Sequence, residues 1–405
     1  MKERKFKMPK LLLINPAKNF GSTGKIVEQI GLLAESSGWE VKVAHSVRYA
    51  RISRLKSMSF SSKIGERWHA LWALLLDRQG LHSTIETRRL VQMIIDYQPD
   101  LIHLHNIHGY YINYIVLFKY LASIDVPVVW TMHDCWSFTG HCTYFDMVNC
   151  EKWKSQCYEC QNLVNYPKAL TDRSRKNFQQ KKEQFTSLKN LTMIPVSNWL
   201  GELTRKSFMG KYPIHVIHNG IDLNVFRILT NYQAKDTKKM VLGVSSNGFS
   251  GRKGLDDFVT LSKILPDEYQ IVMIGLHQDE LAKIPINIVG MGRTANVEEL
   301  VEYYNRAAVF INPTYSDNFP TTNLEALACG TPVVTYNTGG SPEAVDETTG
   351  IVVKQGDVKE LASAIMKITN NPKPSLVCRK RAVELFDKDR CFDAYLQLYD
   401  YLISK

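Results

Sequence analysis

An alternation runs the length of the chain: short apolar runs, each followed by a polar or glycine-containing turn and then a stretch with helical spacing of its apolar residues. The first series comprises Lys10–Asn15, Val41–His45, Leu101–His105 and Val126–His133, closed by Met193–Val196 and His215–Ile217. The second comprises Met240–Val244, Gln270–Ile274, Ile286–Val289, Val309–Asn312 and Val333–Tyr336. Strands that alternate with helices belong to parallel sheets with crossover connections, so the fold class is α/β. The polar stretch 229–239 separates the two series and reads as a linker. A chain of 405 residues accommodates two such domains, each with its own core. There is no internal repeat or low-complexity tract.

The segment Asn312–Glu343 carries the most chemistry. It reads as the end of a strand, a polar loop, a helix opening near Thr321, Thr322 and Asn323, then Gly330-Thr331-Pro332, a second strand and the Gly339-Gly340 turn. Backbone N–H groups at a helix start, with the helix dipole behind them, favour an anion such as phosphate. Asp317 and Glu325, eight residues apart, add two carboxylates that accept hydrogen bonds from vicinal hydroxyls. A phosphate between two acids suggests a nucleotide sugar, one acid on each sugar ring. The plainer reading makes Glu325 an N-terminal helix charge and Asp317 a turn former.

This segment resembles the donor-site signature of glycosyltransferase family 4, where two acids, usually both Glu, flank seven residues. Here it stands as Asp317-x7-Glu325, with the first acid shortened. The likeness runs through nearly the whole chain and is nearest the group serving bacterial exopolysaccharide, capsule or colanic-acid-type synthesis. It implies a GT-B fold: two doubly wound Rossmann-like domains facing across a cleft, with a last helix crossing back to the first domain. The expected boundaries are 1–228 for the acceptor-side domain, with a Cys-rich insertion at 135–160, then 240–390 for the nucleotide-sugar domain and 391–405 for the returning helix. The resemblance also implies hexosyl transfer from a UDP- or GDP-sugar to a saccharide or lipid-linked acceptor, with retention of configuration and no catalytic metal.

Further site residues follow from strand ends, where ligands of open α/β sheets bind. Gly21 and Gly24 stand in a loop ahead of a helix starting at Lys25, and glycine permits close backbone approach to a phosphate or sugar. Arg252 and Lys253, ahead of a helix in the second domain, suit diphosphate neutralisation, against the alternative of a solvated basic pair. The family often has an Arg five residues before this Lys. Gly248 stands there in this chain, and Arg252 is the candidate for that part. The resemblance assigns His133, at the end of a strand, to the donor sugar; a lone His is otherwise more often structural. It gives Asp317 the donor sugar, Glu325 the ribose, and Asn318, Phe319, Pro320, Thr321 and Thr322 the rest of the donor loop. Asn219-Gly220-Ile221-Asp222 resembles the family's interdomain turn, although an Asn-Gly turn with an Asp cap explains it locally.

Charge is unevenly distributed. Up to Asn190 there are 27 Lys and Arg against 16 Asp and Glu, a balance of +11, while the remainder has 23 against 24, or −1. Arg48, Arg51, Arg54, Lys56, Lys63 and Arg67 adjoin a segment in which Ile64, Trp68, Leu71, Trp72, Leu75 and Leu76 recur at helical spacing. Such a helix either packs its apolar face inward behind a basic edge or lies on an anionic membrane surface. No run reaches the roughly 18 apolar residues of a spanning helix, and MKERKFKMPK leads into a strand rather than a signal-peptide core. A cytoplasmic protein is expected, at most peripheral to the inner face of the plasma membrane.

Five of eight cysteines lie between 135 and 160. Cys142, Cys150, Cys157 and Cys160, with His141 adjacent, have spacing that suggests a structural zinc, against buried free thiols or a redox pair. Rival functions are another GT-B enzyme, such as a sugar-nucleotide epimerase or a phosphorylase, and a basic nucleic-acid-binding protein. The last explains neither the acid pair nor the charge balance of the second half, so no nucleic-acid partner is expected.

Overall fold

The computed structural model describes residues 8–230 and 238–405. Most of the expected linker, 231–237, lies outside the described residues. The chain divides into two compact units, one running up to Ile217 and including Phe392–Lys405, the other His218–Cys391.

The first unit is built on six parallel strands: β1 (Lys10–Ile14), β2 (Glu40–His45), β3 (Lys56–Ser59), β4 (Leu101–Leu104), β5 (Val128–Met132) and β6 (Leu191–Pro195). Their order is β3-β2-β1-β4-β5-β6, with Leu12 of β1 in register with Lys42 on one side and Ile102 on the other. Leu11 to Ile14 are fully buried, as expected of a central strand covered on both faces. Strand β3 was not expected, because KSMS has no apolar run and lies half-solvated at the sheet edge. His215–Ile217 is not a strand. It runs along β6 through hydrogen bonds from His215 N–H to the Met193 carbonyl (3.0 Å) and from Ile217 N–H to Pro195 (3.2 Å), with a single bridge at Ile214.

Helix α1 spans Gly21–Ser36, four residues longer at its start than expected, so Gly21 and Gly24 lie in the helix rather than in a loop before it. Gly21 takes φ +66°, a left-handed value open to glycine at little cost. Helix α2 (Lys63–Leu76) carries the Trp/Leu segment. It buries Glu66, His69 and Ala73 and leaves Ile64, Trp68, Leu71 and Leu75 exposed, so its apolar stripe is not core-facing. The burial of polar groups is compensated. The Glu66 carboxylate accepts hydrogen bonds from Ser46 Oγ (2.6 Å) and Ser61 Oγ and pairs with Arg48 Nε at 3.1 Å. His69 Nε2 accepts from Gly80 N–H at 2.9 Å, which fixes its tautomer. Helix α3 (Thr84–Tyr97) follows.

The second unit repeats the winding. Strands β7 (Lys239–Val244), β8 (Tyr269–Ile274), β9 (Ile288–Met291), β10 (Val309–Asn312), β11 (Val333–Tyr336) and β12 (Gly350–Val353) take the order β9-β8-β7-β10-β11-β12. Helix α4 (Leu255–Leu261) follows the Arg252-Lys253 loop, and α5 (Thr321–Ala328) follows β10. The last helix, α6 (Lys388–Ser404), starts three residues before the expected Cys391 and enters the first unit at Phe392. There Tyr399 OH meets His103 Nδ1 of β4 at 2.6 Å, and Thr131 Oγ1 of β5 donates to Tyr395 OH at 3.0 Å.

Phe258 of α4 is fully buried against Gly243 of β7, where an added Cβ would stand 2.4 Å from its ring. Truncation to Phe258→Ala is expected to lower unfolding stability by about 3–5 kcal/mol in urea titrations. A loss under about 1 kcal/mol would contradict this packing.

Candidate active site

In the second unit the strand order reverses between β7 and β10, the place where open α/β sheets bind ligands at the carboxyl ends of their strands. Three loops converge there. The first, after β7, carries Arg252 and Lys253; the second, after β10, carries Asp317 to Pro320; the third, after β11, carries Gly339 and Gly340.

Lys253 Nζ lies 2.5 Å from Asp317 Oδ2, and Arg252 Nη1 lies 3.6 Å from the same oxygen. Arg252 Nη1 also donates to the Ser316 carbonyl at 2.6 Å, and its own carbonyl accepts from Tyr315 N–H at 2.7 Å. The cation loop and the acid loop are therefore bonded through both side chain and backbone. Burial pushes the Asp317 carboxyl up, but the Lys253 and Arg252 charges and hydrogen bonds outweigh it and hold the pKa below the ordinary carboxylate value. Burial lowers the Lys253 pKa, with Asp317 opposing.

Close packing fixes the loops. Gly340 N–H donates to the Asp317 carbonyl at 3.2 Å, and Gly339, at φ +55°, sits so close that a Cβ would fall 1.9 Å from that oxygen. Gly254, at φ +76°, would place a Cβ 2.3 Å from the Pro313 carbonyl. Glu280 anchors the loop ahead of Arg252, accepting from Phe249 N–H (2.8 Å) and Ser250 N–H (2.5 Å).

The start of α5 is held by a buried polar network. Asn312 Nδ2 donates to Asn323 Oδ1 at 2.9 Å, Asn323 Nδ2 donates to Ser341 Oγ at 3.0 Å, and Thr335 Oγ1 lies 2.6 Å from Ser341 Oγ. Such satisfied networks rigidify what they hold. Pro320 precedes the helix without a side-chain cap. Glu325 is half-buried one turn into α5, and its Oε2 accepts from Tyr304 OH at 2.8 Å. Tyr304, Glu280 and Ser341 were not singled out in the sequence, and Asn323 was named only as part of the helix opening. Asn323 and Ser341 stood within the Asn312–Glu343 segment, but nothing local marks the supporting role of any of the four, because their partners are distant along the chain.

In the first unit His133 follows β5, and His105 Nδ1, beyond β4, lies 3.1 Å from His133 Nε2. Burial lowers the His133 pKa to about 4, so the imidazole is neutral near pH 7 and can donate or accept a hydrogen bond. The adjacent Asp134 accepts from His108 Nε2 at 2.6 Å and from Trp136 N–H at 2.9 Å. Gly24 packs on Ala17, where a Cβ would meet Ala17 O and Cβ at 3.2 Å; a Cβ on Gly21 would meet nothing within 4 Å. In the second unit Asp222 accepts from Lys388 Nζ at 2.6 Å and from Asn224 N–H at 3.0 Å, so it caps its own turn.

The four cysteines of the zinc expectation come together in space. Cys142, Cys150, Cys157 and Cys160 line one cavity of about 20 Å³, but no group of three or more His, Cys, Asp or Glu among the described residues is arranged to hold a metal. Cys142 and Cys160 are 3.7 Å apart at sulfur, while Cys157 Sγ accepts from Gly140 N–H at 3.2 Å. His141 Nδ1 is committed to Asp77 Oδ1 at 2.6 Å. Burial raises the Cys157 thiol to about 12. Sequence spacing brought the four sulfurs to one place.

Two family models match in tandem. One, described as Glycosyltransferase Family 4, covers residues 27–225, and the other, Glycosyl transferases group 1, covers 228–384. The chain belongs to this glycosyltransferase family. Over 274 residues it is 26% identical to the putative colanic acid biosynthesis glycosyl transferase WcaC of Escherichia coli, covering 65% of this chain and 66% of that one. Over 159 residues it is 26% identical to the N,N'-diacetylbacillosaminyl-diphospho-undecaprenol alpha-1,3-N-acetylgalactosaminyltransferase of Campylobacter jejuni, 38% of this chain and 42% of that one. These matches thus span from under half to about two thirds of the curated relatives' lengths. Among solved structures, Anabaena Alr3699/HepE, determined with UDP and glucose, superposes with a TM-score of 0.67 at 15% identity, covering 97% of this chain and 100% of that one. The fold is GT-B, as the resemblance implied.

The depressed Asp317 pKa gives the site a pH signature. The folded state releases this proton more readily than the unfolded chain, so the ion pairs stabilise fully above about pH 4 and their contribution fades as pH falls through the lower folded value. The stability gap between the wild type and Asp317→Asn is expected to be constant between about pH 5 and 7 and to close in more acidic buffer. A gap that persists undiminished in acid would mean the contact is not ionic.

Proposed function

We propose that the protein transfers a hexosyl group, with retention of anomeric configuration, from a UDP- or GDP-sugar to a saccharide or lipid-linked saccharide in the synthesis of a cell-surface polysaccharide. The observation that carries this reading is the Arg252–Lys253–Asp317 cluster at the strand-order reversal, beside the start of α5. Two cations held on one carboxylate can exchange that partner for a diphosphate, with backbone N–H groups of α5 adding to the anion site. Relatives supply the chemical class: one acts on a diphospho-undecaprenol-linked sugar, and a structural neighbour was determined with UDP and glucose.

In the proposed mechanism the sugar–phosphate bond breaks with oxocarbenium-like charge on the sugar. Lys253 and Arg252 stabilise the departing diphosphate, whose charge grows in the transition state. Asp317, in the loop 317–320 with Asn318 and Phe319, orients the donor sugar. Glu325, oriented by Tyr304, takes the ribose hydroxyls, and Thr321 and Thr322 line the helix start. Neutral His133 serves the transferred sugar as a hydrogen-bond partner, and the first turn of α1, with Gly21 and Gly24, offers backbone close to a ligand. The acceptor hydroxyl attacks on the face that the leaving group vacates and gives its proton to the phosphate, so no side-chain nucleophile or catalytic metal is needed. No helix among the described residues is long and apolar enough to cross a membrane, and the proposed place of action is the cytoplasmic face of the plasma membrane.

Screening by thermal shift against UDP-, GDP- and ADP-sugars tests the donor class, since a ligand at 100 times its dissociation constant stabilises by about 2.7 kcal/mol. With the active donor, Lys253→Ala is expected to lower turnover by a factor of about 100 or more, and Glu325→Gln to act mainly through KM. Product NMR should show the donor's anomeric configuration. Indifference to every nucleotide sugar would refute the proposal. Sugar kept on the nucleotide, or release that requires inorganic phosphate, would mark an epimerase or a phosphorylase.

A further inference from the structure

Helix α2 is amphipathic in the reverse sense. Helices at a protein surface normally turn their apolar stripe inward, yet α2 puts Glu66 and His69 inside and leaves Ile64 81%, Trp68 57% and Leu71 42% exposed. With Leu75, also exposed, these residues follow i, i+4, i+7, i+11 spacing and form one continuous line. Leu170, 64% exposed, extends it: Leu170 N–H donates to the Leu74 carbonyl at 2.7 Å, and Thr171 Oγ1 to the Leu75 carbonyl at 2.9 Å. The inward face is already satisfied by Ser46, Arg48, Gly80 and Ser83, so the helix is seated firmly with its apolar side out.

The charges beside the stripe select its partner. Lys63 and Arg67, one turn apart, are exposed along its edge, while Glu66, the helix's one acid, is buried and paired with Arg48. Lys168 is exposed two residues before Leu170. An apolar stripe with a Trp and cations at its border suits a surface that is hydrocarbon beneath and anionic at headgroup level.

We propose that the face formed by Ile64, Trp68, Leu71, Leu75 and Leu170, with Lys63 and Arg67 at its rim, is a docking surface for an anionic lipid bilayer. The helix lies parallel to the bilayer, its apolar line sunk to the acyl boundary and its cations among the headgroups. The surface deepens the functional reading by naming where a membrane-borne acceptor would be met, but the lipid contact stands or falls without it.

Flotation of the full-length protein with phosphatidylglycerol-containing and pure phosphatidylcholine vesicles, with no nucleotide sugar present, tests the lipid contact separately from transfer. Binding is expected to the anionic vesicles only, and to weaken as salt shortens the Debye length. Ile64→Ser/Leu71→Ser should weaken binding about tenfold or more, and Lys63→Glu/Arg67→Glu by a similar factor, with unfolding midpoints near that of the wild type because all four side chains are exposed. Failure of the wild type to bind anionic vesicles, or equal binding by both double variants, overturns the proposal. A dimer in sedimentation that Ile64→Ser/Leu71→Ser dissociates, together with no vesicle binding, would assign the stripe to a second copy of the chain instead.

Discussion

Asp317 is gripped at both ends. Its carboxylate meets Lys253 and Arg252, and its carbonyl accepts from Gly340 N–H beneath a glycine that leaves no room for a side chain. These contacts join three loops separated by long stretches of sequence, so the position of the acid is a property of the whole second sheet. Bringing two cations together costs free energy unless an anion lies between them, and Asp317 supplies that anion. The arrangement suits diphosphate chemistry because the positive charge is collected in advance, and reorganisation at the moment of reaction is small.

Much of the fold was legible because its signals are local. A buried parallel strand is a short apolar run, and LLLI, VVWTM and VFIN announce themselves. The edge strand Lys56–Ser59 did not, since half-solvated edges tolerate polar residues and lose the pattern. The start of α1 was placed late because Gly21 and Gly24 read as breakers. In the structure one supplies a left-handed turn and the other a close approach to Ala17. The direction of α2 was open for a different reason: helical periodicity reports that a stripe exists but not which way it faces. What turned it was Glu66 and His69 finding Ser46, Arg48, Gly80 and Ser83, partners that no window on the helix contains.

The candidate site shows the same division. Arg252, Lys253 and Asp317 could be singled out because charged residues in loops after apolar strands are conspicuous, and Glu325 because it stands eight residues beyond Asp317 in the first turns of a helix. Their supports, Tyr304, Glu280 and the Asn312–Asn323–Ser341 network, could not, being ordinary polar residues until folding brings them together. The cysteine cluster was legible from spacing alone. Its spacing is conspicuous, and proximity in sequence became proximity in space, with Cys142 and Cys160 3.7 Å apart at sulfur and His141 held by Asp77.

The last helix gives the first unit a long-range dependence. Tyr399 closes on His103 across 296 residues, and Tyr395 on Thr131 across 264. The entropy of closing so large a loop grows only slowly with length, but the contact forms late in a search dominated by nearer neighbours. During synthesis the first sheet must therefore wait for the whole second unit to emerge before α6 covers it, and His103, fully buried in the finished fold, passes through a stage of exposure to water. A tag or truncation near Tyr399 would accordingly be felt at His103 and Thr131, in the middle of the first sheet.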